Sequence, residues 1–283
     1  MSALLFLLAP LFSGSLKWLK ARLTYRQGPS PFQDYPALAR LWPKVWIWPE
    51  SASPVFLLGP VAAFASALVA LGLLPFLPTW SFAGDFLVLL ALLGLGRFFQ
   101  VLAALDPGSA FGGQGAYRES QVSVLAEPGT LMGLSALVLA SGGLSLAEIR
   151  PMTSENLLVY AFALVALALG LLAENARMPI DDPTTHLELT MIHEAQLLDH
   201  SGPLLLLYEL AAKTKLLVYI GLMALPLPFS PWANLLLATG TALFSLALLE
   251  TFGVKLRYLR LPDLLSYSTL AGLLALLGVV LWR

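Results

Sequence analysis

The chain has 283 residues, 58% hydrophobic and only 12% charged, where a soluble domain carries roughly 25% charge. A formal net charge of −1 gives no purchase on nucleic acid. The absence of cysteine excludes disulfides, thiolate-held zinc, and iron–sulfur or [NiFe] centres on this chain. With a mean hydropathy of +0.79, an all-α polytopic membrane protein is expected, forming a single integral membrane domain over 1–283.

Apolar runs predict about eight transmembrane helices in chain order. The first, near 2–20, is interrupted by Pro10. MSALLFLLAPLFSGS lacks a basic leader and is followed by KWLKAR, which reads as a retained helix with a cytoplasmic anchor. The others fall near 55–77, 83–105, 120–146, 155–174, 203–226, 232–252 and 263–282. No internal repeat supports the inverted-repeat architecture of transporters.

Lys and Arg decide the orientation. Eight spans place both termini on one side, which holds only Arg150 and Arg283. The opposite side holds Lys17, Lys20, Arg22, Arg26, Arg40, Lys44, Arg118, Arg177, Lys255, Arg257 and Arg260. By the positive-inside rule the termini are outside, and loops 21–54, 106–119 and 175–202 are cytoplasmic. In the first loop, Trp42, Trp46 and Trp48 suit the headgroup level, and a short amphipathic piece near 34–48 is expected in the interface.

Ionisable groups recur inside the predicted spans, where each is costly without a partner or water. Arg97 lies in the third, Glu119 and Glu127 at the start of the fourth, and Glu174 at the end of the fifth. Glu209, Lys213 and Lys215 lie in the sixth, and Glu250 near the inner end of the seventh. Glu209 and Lys213 stand four apart in the favourable order for a helical pair, and Glu174 and Arg177 three apart. Such pairs can simply neutralise one another and hold helices together. The acids outnumber the local bases, however, and a chain of buried carboxylates separated by water is the material of a proton relay. Pro128, directly after Glu127, removes a helix hydrogen bond and opens the backbone ladder to water or a side chain.

Between the fifth and sixth spans, AENARMPIDDPTTHLELTMIHEAQLLDHSG carries all three histidines. Pro179 and Pro183 break the helix, and Asp181 or Asp182 can cap a following helix over THLELTMIHEAQLLDH. His186, His193 and His200 recur every seven residues, about 10 Å apart along a helix, too far for two of them to share a metal. HEAQL fails the zinc pattern because Leu197 stands where a second His is needed. These histidines read best as a polar face against a partner subunit. GSAFGGQGAYRES has no GK[ST] after it and no strand before it, so it is neither a P-loop nor a dinucleotide fingerprint. Close backbone approach to another chain, or loop flexibility, accounts for its glycines. No self-contained active site is present.

AENARMPIDDP, a helical run containing Glu188, and SGP resemble the signature of the complex I subunit 1 (H-type) family. LGRFFQVLAALDPGSAFGGQGAYRES, SVLAEP and THLELTMIHEA are similar to its branch in formate hydrogenlyase, hydrogenase-4 and group 4 membrane-bound [NiFe]-hydrogenases. The resemblance runs from RQGP at 26–29 to at least the end of the sixth span. It implies a non-catalytic subunit joining a soluble redox arm to antiporter-like membrane subunits in the cell inner (plasma) membrane. The arm's hydrogenase-like large and small subunits and iron–sulfur proteins sit on the cytoplasmic face and carry the [NiFe] and iron–sulfur centres. By motif, Glu119, Glu127 and Glu174 become relay carboxylates with Arg97 and Arg177 as charge partners. Glu209, Lys213 and Glu250 join them on burial alone. Asp106, Asp181, Asp182 and Glu188 belong to loops facing the partner arm. Thr184 and His186 stand where the quinone-linked branch tends to carry further acids, which argues against a quinone chamber. The other two readings are a quinone-site subunit of a complex I relative and an autonomous ion transporter.

Overall fold

The computed structural model describes residues 2–76, 81–182 and 191–282. Among these residues every regular element is helical: α1 (Ser2–Leu23), α2 (Asp34–Ala39), α3 (Val55–Gly72), α4 (Asp85–Leu105), α5 (Ala110–Ala140), α6 (Leu157–Glu174), α7 (His193–Leu197), α8 (Gly202–Ala224), α9 (Pro231–Phe252) and α10 (Leu261–Trp282). A long helix stands at each predicted span. By length and composition, six of the described helical segments are apolar enough to cross a membrane: α3, α4, α5, α6, α9 and the segment ending in α10. The middle of α8 carries Glu209, Lys213 and Lys215.

Helices α3, α4, α5, α6 and α8 close a ring, each packed on the next and α8 returning to α3. Outside it, α10 lies against α5 and α6, while α1 and α9 pack on each other and on α8. Small residues bring the ring helices together: a side chain on Gly96 of α4 would run into Ser66 Oγ and the backbone of Ala63 on α3.

The long connections meet at one end of the bundle. Ser51 donates to the Pro107 carbonyl (2.7 Å), Ile47 N to Ser201 Oγ (3.0 Å) and Leu256 N to the Pro179 carbonyl (2.9 Å). At the other end Gly84 N donates to Leu144 O (2.7 Å) and Met152 N to Pro226 O (2.7 Å).

Several boundaries differ from the sequence reading, for physical reasons. Helix α5 begins at Ala110, not near 120, and ends at Ala140. The glycine-rich stretch expected as a loop is therefore its first turns. Ser109 caps it by accepting from Gly112 N. Two of its glycines serve close packing within the chain: a Cβ on Gly112 would meet Ala104 O of α4, and one on Gly115 would meet Ala195, Gln196 N and Ile192 O of the α7 segment. Helix α6 ends at Glu174, the residue at which the fifth predicted span also ends, and Pro179 is not what stops it. Arg177 N closes onto Leu172 O (2.9 Å) and Ala176 adopts φ 47°, a left-handed stop that needs no proline. Helix α1 ends in the same way, with Arg26 N on Ala21 O (2.8 Å) and Tyr25 at φ 54°. The amphipathic piece expected near 34–48 is helical only over Asp34–Ala39, and Trp42, Trp46 and Trp48 are exposed beyond it. The expected helix from Thr185 is described only from Met191 onward, where α7 covers His193–Leu197; His186 and Glu188 lie outside the described residues.

Candidate functional site

The ring helices point charged side chains at one another. Arg97 of α4 is the centre. Its Nη2 lies 2.5 Å from Glu174 Oε1 at the end of α6 and 3.3 Å from Glu127 Oε1 on α5. Glu174 Oε2 faces Lys215 Nζ of α8 at 3.6 Å. Side-chain exposure separates the two acids: 2% for Glu174 and 55% for Glu127. Glu174 is thus a core ion, and Glu127 reaches the outer surface of the bundle. A cavity of about 510 Å³ joins them, lined by Arg97, Glu127, Glu174, Thr130 and Tyr219 among apolar side chains of α4 and α5. Glu119, two turns before Glu127 on α5, is buried and has no ion pair within 4 Å among the described residues. Lys215 and Arg97 act on it as the nearest opposing charges, Glu174 and Asp181 as like ones. Two cations thus face three carboxylates. An ionised group held among apolar helices is costly unless a partner or water meets it.

Other predicted residues form separate pairs. Glu209 and Lys213 are bonded along α8, as their spacing suggests. Arg177 does not face Glu174. The left-handed turn at Ala176 swings it to Glu250 on α9 (3.1 Å), whose other oxygen takes Lys20 of α1 (2.8 Å). Glu250 therefore staples α1, α9 and the end of α6. Asp181 Oδ2 accepts from Ile192 N and His193 N (3.1 Å each), capping α7, and its Oδ1 takes Lys255 Nζ (2.6 Å). Asp182 N donates to that same Oδ1 (2.9 Å). Asp106 accepts from Ser53 N and Ser53 Oγ, both 2.6 Å, and so ties the end of α4 to the start of α3.

The histidines described turn inward rather than outward. His193 Nδ1 lies 3.3 Å from Gln100 Nε2 on α4. His200 stacks on Phe56 of α3 (4.1 Å, 10°) and meets Tyr208 of α8 edge-on. Burial pushes the His200 imidazole down to about 4, so it is neutral at pH 7. The expected polar face against a partner is therefore not formed by His193 and His200. Among the described residues no group of three His, Asp or Glu comes together to hold a metal.

The chain matches the family model described as NADH dehydrogenase over residues 1–281. It belongs to that family, in its complex I subunit 1 type. Hydrogenase-4 component C of Escherichia coli (strain K12) is 34% identical over 244 residues, covering 84% of this chain and 76% of that protein. Formate hydrogenlyase subunit 4 of the same organism is 32% identical over 207 residues, covering 70% and 66%. NADH-quinone oxidoreductase subunit 8 of Thermus thermophilus is 30% identical over 193 residues, covering 60% of this chain and 52% of that protein. The fold is shared with a chain of the membrane-bound sulfane sulfur reductase, an archaeal respiratory membrane complex. There the TM-score is 0.83 at 15% identity, covering 98% of this chain and 96% of that one.

In this NADH dehydrogenase family member, sequence reasoning missed Lys215 as a cluster residue. It also missed Lys20 as a partner of Glu250, and the buried Asp34, which takes Ser13 and Lys17. Burial works to raise the Asp34 pKa, but the bonds from Lys17 and Ser13 outweigh it and hold the carboxyl below its usual range. Lys215 was visible as a charge inside a predicted span; nothing local marked Asp34.

Proposed function

We propose that this chain is the membrane-anchor and coupling subunit of a complex-I-like oxidoreductase of the hydrogenase-4 and formate hydrogenlyase kind. It crosses the cell inner (plasma) membrane eight times with both termini outside. Its long loops receive a cytoplasmic arm of hydrogenase-like large and small subunits and iron–sulfur proteins. With no cysteine in this chain, the [NiFe] and iron–sulfur centres belong to that arm. The observation that carries the reading is Arg97, held between a buried Glu174 and a half-exposed Glu127 inside a closed helix ring. Arg97 remains charged under all ordinary conditions. A change at the loop end that weakens its hold on Glu174 shifts it toward Glu127. Proton or cation movement follows, because each carboxylate binds a positive charge more readily as its arginine leaves. The lateral opening of the cavity at Glu127 suits an antiporter-like membrane subunit, which removes that carboxylate from lipid. Glu119 extends the relay toward the loop end.

Gentle detergent isolation of this chain with its partners, followed by mass spectrometry and metal analysis, tests the assignment. A cysteine-rich large subunit carrying nickel, together with iron–sulfur proteins, is expected. An iron–sulfur complex without nickel would move the assignment to a quinone- or other acceptor-linked relative. Recovery of the chain alone, monodisperse and able to move ions, would replace it with a transporter.

A further inference from the structure

A second, much smaller hole that Arg97 also lines lies between α3, α4, α7 and α8. Its polar lining is Ser66, Arg97, Gln100, His193 and Lys215, and its volume is about 20 Å³. One water needs roughly 10–15 Å³ by this measure and 2–4 polar partners. The hole is large enough for a water. We propose that a single water binds there and that through it His193 couples the loop end of the molecule to the Arg97–Glu174–Lys215 cluster. This deepens the coupling reading above and rests on it.

The donor and acceptor balance of the lining points to water. Arg97 and Lys215 can only donate. Arg97 Nε–H is buried with no acceptor among the described residues, and a water's lone pairs supply one. The water's own hydrogens then need acceptors. Ser66 Oγ and the Gln100 amide oxygen supply them; Gln100 Nε2–H donates to His193 Nδ1, so the neutral ring carries its proton on Nε2 and offers that N–H to the water's oxygen. A protonated His193 would put a third cation on the same hole. Burial and the Lys215 charge both work against that form, while Glu194, Asp181 and Glu209 favour it; the net result holds the imidazole pKa below its ordinary value. The ring is also placed for the task. Its backbone N–H is fixed by Asp181, which is anchored to Lys255. It is half-buried, with Nδ1 on Gln100 one turn from Arg97 along α4. Gly96 keeps the α3 side open beside Ser66.

The test uses the whole complex in proteoliposomes, read as ions moved per turnover, together with a structure of the same complex that shows ordered water. The wild type is expected to hold one water among Ser66, Gln100, His193 and Lys215; an empty hole overturns the proposal. His193→Leu is expected to lower ions per turnover by about fivefold, the size of one lost hydrogen bond. His193→Gln, which keeps an N–H donor, should retain more than half. If His193→Leu fails to assemble, Gln100→Leu, within α4, carries the same expectation. Wild-type coupling in both leucine variants, or equal loss in His193→Gln and His193→Leu, overturns the role of His193. If Glu174→Gln is uncoupled while His193→Leu is not, only this proposal falls. If Glu174→Gln also couples normally, the underlying reading falls with it.

Discussion

Replacing Arg97 with leucine is expected to destabilise the membrane part of the complex by about 3–5 kcal/mol, the range for removing one partner of a buried pair. The effect comes from what is left behind. Glu174 is 2% exposed and loses its 2.5 Å contact, keeping only Lys215 at 3.6 Å. Glu127 adds little, because a carboxylate 55% exposed is already screened and such pairs contribute about 0–1 kcal/mol. Thermal unfolding of the detergent-solubilised complex checks this. The double change Arg97→Leu with Glu174→Leu should recover most of the loss, since two apolar groups in place of a buried pair are often neutral. A loss unchanged by the second substitution would mean that packing, not charge, holds this point of the ring.

Glu250→Leu is expected to be the second most damaging change, at about 3 kcal/mol. One buried carboxylate, 2% exposed, holds Lys20 and Arg177, and those cations are 24% and 18% exposed. Removing it strands both, although each can turn partly toward water, which places the figure at the lower end of the range. The loss should appear as a loosening of α1 and of the loop after α6, measured as faster amide exchange there. Glu209→Leu serves as the comparison. Its partner Lys213 is 12% exposed, but it is one cation rather than two and Glu209 itself is 35% exposed, so a smaller loss of about 1–2 kcal/mol is expected. Equal effects at Glu250 and Glu209 would remove the staple from the account.

What the sequence could show was set by period and by local spacing. Long apolar runs marked a helix at every predicted span, and the i,i+4 pair of Glu209 and Lys213 follows from helical geometry alone. The start of α5 was hidden because Gly112, Gly113 and Gly115 oppose helix by propensity, while the packing of Gly112 against α4 and of Gly115 against α7 favours it; Gly113 faces open space. Partners distant in the chain were not legible. Arg177 sits three residues from Glu174, yet its contact is Glu250, because a single left-handed residue at Ala176 turns the backbone away. Arg97 was recognisable as a buried cation, but its position between Glu127 and Glu174 needed the ring. Asp181 was read as the cap of a helix beginning just after it, a stretch outside the described residues; its carboxylate instead reaches eleven and twelve residues ahead to Ile192 N and His193 N.

In the proposed function the carboxylate on Arg97 links redox turnover to ion movement. The most direct test is Glu174→Gln in the complete complex, reconstituted in sealed proteoliposomes, with turnover and ion uptake recorded together. Glutamine keeps the size and a hydrogen-bond acceptor but removes the charge that holds Arg97. The account predicts an assembled complex whose ions moved per turnover fall by about tenfold or more. Wild-type coupling in that variant would contradict it and leave the cluster a structural clamp.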